Sequence, residues 1–214
     1  MIDEILKQKS VLSILRLMKN KKQLSMKVKT IDIFPLSKKS DLDIYFNSDG
    51  AKASGSNVWS NTNPDATKIY IGTDAGVNGS GETYVCYAFA EIKGYSRFGK
   101  YIGNNQTSGP FVYTGFKPAW VLVKRKDQAG NNWQLHDIKR TQYTQPINHR
   151  ISPTVSIVEQ TGDTLGFEFF SNGFRPNNAN GDYNDNLEEY IYMAFAENPF
   201  VANDSGTAVP VVAR

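Results

Sequence analysis

Two textures divide the chain. In residues 2–19, Ile2, Ile5, Leu6, Leu12, Leu15 and Met18 recur near helical spacing with no Gly or Pro between them, which predicts one amphipathic helix. The basic run KNKKQLSMKVK follows. From Thr30 onward, apolar residues come in short runs bounded by turn residues: TIDIF, LDIYF, KIYIG, TYVCYAFAEIKGY, PFVYTGF, AWVLVKRK, NWQLHDIKR, TVSIVEQ, LGFEFF and EYIYMAFAE. The separators, such as AGNN, NNQTSGP and NNANGDYNDN, lack helical periodicity, so no βαβ unit is expected. The pattern predicts an all-β fold, an antiparallel β-sandwich of jelly-roll type, with an N-terminal amphipathic α-helix. Residues 1–29 read as basic helix and linker, 30–200 as the sandwich domain and 201–214 as a C-terminal tail.

One pattern is written twice. Tyr84–Glu91, YVCYAFAE, is echoed by Tyr190–Glu197, YIYMAFAE, and Gly115-Phe116-Lys117-Pro118 by Gly173-Phe174-Arg175-Pro176. The two echoes have different offsets, which a tandem solenoid would not produce. In a strand, Tyr84, Cys86, Ala88 and Ala90 share one face, and Val85, Tyr87, Phe89 and Glu91 the other. Apolar residues on both faces predict central strands covered on both sides, with Glu91 and Glu197 at the strand ends.

Composition sharpens this picture. With 214 residues, 40% hydrophobic and 12% aromatic, the chain has enough apolar surface for one sizeable core, and the aromatic share favours strands. Residues 1–40 hold ten Lys/Arg against three Asp/Glu, a balance of +7; the other 14 basic and 18 acidic residues give −4. The positive charge therefore belongs to the N-terminal segment. No aromatic anchors are interleaved with its lysines, so membrane insertion and nucleic-acid binding are not expected. Ile5, Leu12 and Leu15 are instead expected to mediate self-association. No run of about 18 apolar residues spans a membrane, and no h-region with a cleavage site marks a secretory signal. Cys86, the single cysteine, reads as a small buried hydrophobe.

Candidate chemistry is sparse. His136 and His149 lack metal-ligand spacing, and no nucleophile elbow, P-loop or dinucleotide fingerprint is present; no enzyme activity and no cofactor are expected. Glu91 and Glu197 would have to face each other across a cleft to act as a glycosidase pair, and this glycan-degrading reading is kept as an alternative. Asn180, Asp182 and Asp185 offer oxygens at close spacing, but glycine and glutamate do not fall at EF-hand positions, so the loop reads as a plain turn and only a weak calcium candidate. A lectin-like alternative places sugar rings on Trp133, Tyr143 and Tyr183, with Asn180 and Asp182 bonding hydroxyls. Trp120 reads as core. Trp133, flanked by Asn131, Asn132 and Gln134, reads as partly exposed.

The runs YVCYAFAEIKGYSRFGKYIGNNQTSGPFVYTGFKPAWVLVKRKD, NWQLHDIKR, FFSNGFRP and YIYMAFAENPF resemble an uncharacterised β-rich domain that recurs in tail-associated and tail-fibre-like proteins of marine tailed bacteriophages. The resemblance extends from about Asn57 to Phe200. It implies a virion structural protein, assembled in the host cytoplasm, that associates with itself and with other virion proteins and contacts a host-surface glycan. By tail-fibre analogy the homo-oligomer would be a trimer. The resemblance carries no catalytic residues.

Overall fold

Side-chain alternation along Glu189–Ala196 sorts the molecule into two apolar layers. Tyr190, Tyr192 and Ala194 point into one buried cluster, and Ile191, Met193 and Phe195 into another on the opposite face. A strand with both faces covered must carry apolar residues at consecutive positions, which is how this segment reads.

The computed structural model describes residues 42–43, 49–51, 53–54, 56–60, 62, 68, 70–84, 89, 91–141, 146–162, 166–198, 201–202 and 208–209. The predicted N-terminal helix with Ile5, Leu12 and Leu15, and also Tyr143, lie outside them. In chain order the elements are β1 (Leu42–Asp43), β2 (Ala53–Ser54), α1 (Ser56–Trp59), α2 (Ala75–Asn78), β3 (Ser96–Ile102), β4 (Val112–Tyr113) and β5 (Pro118–Arg125). There follow β6 (Gln134–Asp137), a 3-10 turn (Ile138–Thr141), β7 (His149–Arg150), β8 (Gln160–Thr161), β9 (Phe167–Phe170), β10 (Gly173–Pro176), β11 (Glu189–Ala196), β12 (Val201–Ala202) and β13 (Ala208–Val209). The described chain is thus mostly antiparallel β-structure with almost no helix. Among the described residues no helix is long and apolar enough to cross a membrane.

Two sheets carry the core. One has the order β3-β11-β5-β6, the other β4-β10-β9. Tyr101, Val121, Val123, Tyr190, Tyr192 and Ala194 from the first join Val112, Phe167, Phe169 and Phe174 from the second in a single cluster. Full burial of each large apolar side chain contributes roughly 1.5–3 kcal/mol, so this shared layer dominates the stability of the pair. The rings interlock: Phe174 meets Tyr192 edge-on at 5.3 Å, and Tyr101 stacks on Tyr190 at 5.2 Å. Gly99 leaves room for the Tyr192 ring, 2.9 Å from where a Cβ would sit.

The second cluster lies on the other face of the four-stranded sheet, where Leu122, Trp133, Leu135, Ile191, Met193 and Phe195 gather with Phe98, Trp120 and Ile151 at their edge. A bulge skips Ala119 between the pairs Phe195–Trp120 and Ala196–Pro118. It falls where Pro118 begins β5, a position that needs no ladder N–H.

Three expectations are corrected. KIYIG supplies no strand among its described residues Lys68, Tyr70, Ile71 and Gly72. Gly72 N instead donates to Val58 O at 2.6 Å, and a Cβ on Gly72 would fall 1.9 Å from Asn57 O, so the segment is packed against α1. TVSIVEQ contributes only Gln160 to a strand, and Ile157 and Val158 are exposed. At its described residues the first copy of the doubled pattern does not repeat the second: Tyr84, Phe89 and Glu91 are exposed and outside every strand. Tyr84 is turned towards α2, where its hydroxyl donates to Ala75 O at 2.6 Å and accepts from Gly79 N at 2.8 Å.

Candidate functional site

The glutamates that end the doubled pattern, exposed Glu91 and half-buried Glu197, sit in separate ion pairs. Arg97 Nη1 is 2.5 Å from Glu91 Oε1, and Lys117 Nζ is 2.7 Å from Glu197 Oε2. Each carboxylate is engaged by its own cation.

Trp133, expected to be partly exposed, is completely buried, and so is Tyr183. The local signal misleads because the polar neighbours of Trp133 are turned to other partners: Asn131 Nδ2 donates to Asp182 Oδ1 at 3.2 Å, and Asn132 Oδ1 accepts from Thr154 Oγ1 at 3.0 Å. The Trp133 ring thereby enters the second apolar cluster. Tyr183 packs on Phe167 at 4.9 Å and accepts at its hydroxyl from Asn178 Nδ2 at 3.2 Å. Burial pushes its phenol far above the usual range. Neither ring presents a face to a sugar in solution, which corrects the platform expected from Trp133 and Tyr183. Trp120, expected in the core, is half-buried at the edge of the second cluster, where it packs edge-on against Phe195 at 5.4 Å.

The Asn-rich loop is a hydrogen-bonded scaffold. Asn178 Oδ1 accepts from Asn180 N at 2.9 Å and Asn180 Oδ1 from Asp182 N at 2.9 Å, two consecutive Asx turns. Buried Asn184 accepts from Asn104 N at 2.9 Å and donates to Gln106 O at 2.9 Å and Asn178 O at 2.8 Å. Tyr101 donates to Tyr183 O at 2.7 Å, and Tyr190 to Gly181 O at 2.7 Å.

The three candidate calcium ligands of this loop point to different partners. Asn180 Oδ1 holds the Asx turn. Asp182 Oδ2 accepts from Gln134 Nε2 at 2.9 Å and Arg150 Nη1 at 2.8 Å. Asp185 Oδ2 accepts from Arg125 Nη1 at 2.8 Å, while Arg125 Nη2 reaches Glu188 Oε1 at 2.9 Å. Among the described residues no group of three or more His, Cys, Asp or Glu side chains is arranged to hold a metal ion.

Beneath this loop lie polar groups for which the sequence gives no warning. Lys124 is fully buried and donates to Arg125 O at 2.6 Å. Burial pushes its ammonium down to about 8, with Asp49 and Asp182 opposing the shift. His136 is also fully buried, edge-on to Phe167 at 4.5 Å. Burial pushes its imidazole down to about 3; the backbone at Ile147 and His149 works the other way, but neither ring nitrogen has a partner of hydrogen-bonding geometry among the described residues. Glu189 sits between Lys100 and Lys126. Burial alone would raise its carboxyl, and the two ammonium groups outweigh that and hold it below the usual carboxylate range.

Over residues 9–199 the chain matches a family described as a domain of unknown function, DUF7483. No curated protein and no solved structure matches it. The chain belongs to that family.

Proposed function

From membership of a β-rich family without an assigned activity, we propose that the chain is a non-enzymatic structural component of a tailed-phage particle, built on a β-sandwich whose layers are the β3-β11-β5-β6 and β4-β10-β9 sheets. In this reading it is assembled in the host cytoplasm and associates with copies of itself, as a trimer by tail-fibre analogy, and with other virion proteins. The observation that carries the non-enzymatic part is the engagement of the ionised groups. Glu91 and Glu197 are paired separately, and Asp182 and Asp185 are each held by an arginine. Charges used in this way brace loops on a sheet framework. The phage part is supported by the ordered motifs between Asn57 and Phe200.

The test is the molecular mass of the full chain in solution by light scattering, beside that of a Leu12→Asp/Leu15→Asp variant. A multimer that dissociates in the variant is expected, and a wild-type monomer would defeat the assembly reading. Polysaccharide hydrolysis that disappears on Glu91→Gln or Glu197→Gln would defeat the non-enzymatic one.

A further inference from the structure

Side chains that point away from the shared core on the β4-β10-β9 sheet form an outer face with its own organisation. In register, Phe170, Gly173 and Tyr113 lie opposite one another, and Glu168 lies opposite Arg175. Glycine is required at 173 by close approach: a Cβ there would fall 2.7 Å from the Phe111 ring and 2.3 Å from Val112 O. The Phe111 ring crosses that gap and meets Phe170 at 5.7 Å, inclined at 63°. Arg175 stands over Phe170, 5.3 Å from the ring centre, held by Glu168 and by Ser108 Oγ at 2.9 Å. Phe111 is 51% exposed and Tyr113 61%. Asn172, in the turn between β9 and β10, is exposed as well.

We propose that this outer face binds neutral saccharides, with a sugar ring stacked on Phe111 and Tyr113 and its hydroxyl groups met by Arg175, Glu168 and Asn172. The inference does not rest on the virion reading. Aromatic faces present negative electrostatic potential to the C–H face of a pyranose, and flanking groups that donate and accept suit its hydroxyls. The charge on the face favours this ligand over a phosphate or sulfate polymer: Arg175 and Glu168 are already paired with each other, so they attract neither sign. Its size disfavours a protein partner. The exposed parts of three rings amount to roughly 300 Å², well below the ~800 Å² that each partner contributes to a standard protein interface. Phe111, Phe170 and the Arg175 guanidinium are braced by one another and by Ser108, so little ordering entropy opposes binding at these groups.

Affinity electrophoresis of the full chain in native gels containing laminarin, galactomannan, dextran or the anionic alginate tests it. At least one neutral polysaccharide should retard the protein, Phe111→Ala and Tyr113→Ala should each weaken that retardation by about tenfold, and Val158→Ala, at another exposed apolar position, should leave it unchanged. Circular dichroism identifies variants that remain folded, and the solvent-facing Tyr113→Ala keeps the comparison valid if Phe111→Ala does not fold. The proposal is overturned if no neutral polysaccharide retards the chain, if alginate alone does, or if folded Tyr113→Ala is retarded like the wild type. A negative result here with an intact multimer leaves the virion reading standing, and a monomer that still binds leaves this one standing.

Discussion

Arg150 Nη1 lies 2.8 Å from Asp182 Oδ2, and this contact ties β7 to the Asn-rich loop ahead of β11. Both side chains are mostly out of solvent, 11% and 20% exposed. Gln134 and Asn131 bond the same carboxylate, and Ser152 in turn donates to Gln134 Oε1 at 3.0 Å. The carboxylate is therefore the hub of a network that joins β6, β7 and two loops.

Replacing it with an amide of the same shape isolates the charge. Asp182→Asn leaves Arg150 largely desolvated without its counter-ion, and breaking a buried pair from one side destabilises by about 3 kcal/mol. Urea unfolding should show the midpoint shifted by that amount, with the slope unchanged. A loss under about 1 kcal/mol would mean that Gln160, bonded by Arg150 Nε at 2.8 Å, suffices to hold the arginine.

Acid should weaken the fold through His136. Burial pushes its imidazole down to about 3, far below the ordinary histidine value of 6.5, so between those values the unfolded chain binds a proton that the native state refuses. Stability is complete above the unfolded value and falls as pH drops through that window, by about 1.4 kcal/mol per unit. Unfolding at pH 7.5 and pH 5 should differ by about 2 kcal/mol from this residue alone. His136→Leu should flatten that difference. A wild-type midpoint that is the same at both pH values would refute the assignment.

Leu187 offers a gain. Its backbone is left-handed, with φ 61°, and its side chain is 78% exposed, so it bears conformational strain without packing in return. Asparagine tolerates this region through local hydrogen bonding. Leu187→Asn should raise stability by about 0.5–1 kcal/mol, read as a higher melting temperature with unchanged assembly.

Legibility from the sequence depended on whether a segment's own pattern determined its partners. Tyr190–Ala196 was readable because seven consecutive apolar positions can be buried only between two neighbouring strands and two layers, and β3 and β5 supply the neighbours. Tyr84–Glu91 carries nearly the same letters, yet its tyrosine is bonded to α2 and its glutamate to Arg97; at these two positions tertiary partners overrode the local preference. Trp133 was misread because amide neighbours suggest solvent until one knows that they bond Asp182 and Thr154. Phe111 and Tyr113 drew no attention, since PFVYTGF alternates equally well with either face inward. Only the pairing of β4 with β10 determines which rings are left outside.

The division of β11 between two apolar layers also governs how the chain finds its pairing. A slip of one residue against β3 and β5 would carry Tyr190 away from Gly181 O and Asp185 N, the groups that satisfy its hydroxyl, and leave a phenol stranded in hydrocarbon. A slipped register is therefore disfavoured by a buried hydroxyl without partners, and the central strand helps to fix its own alignment.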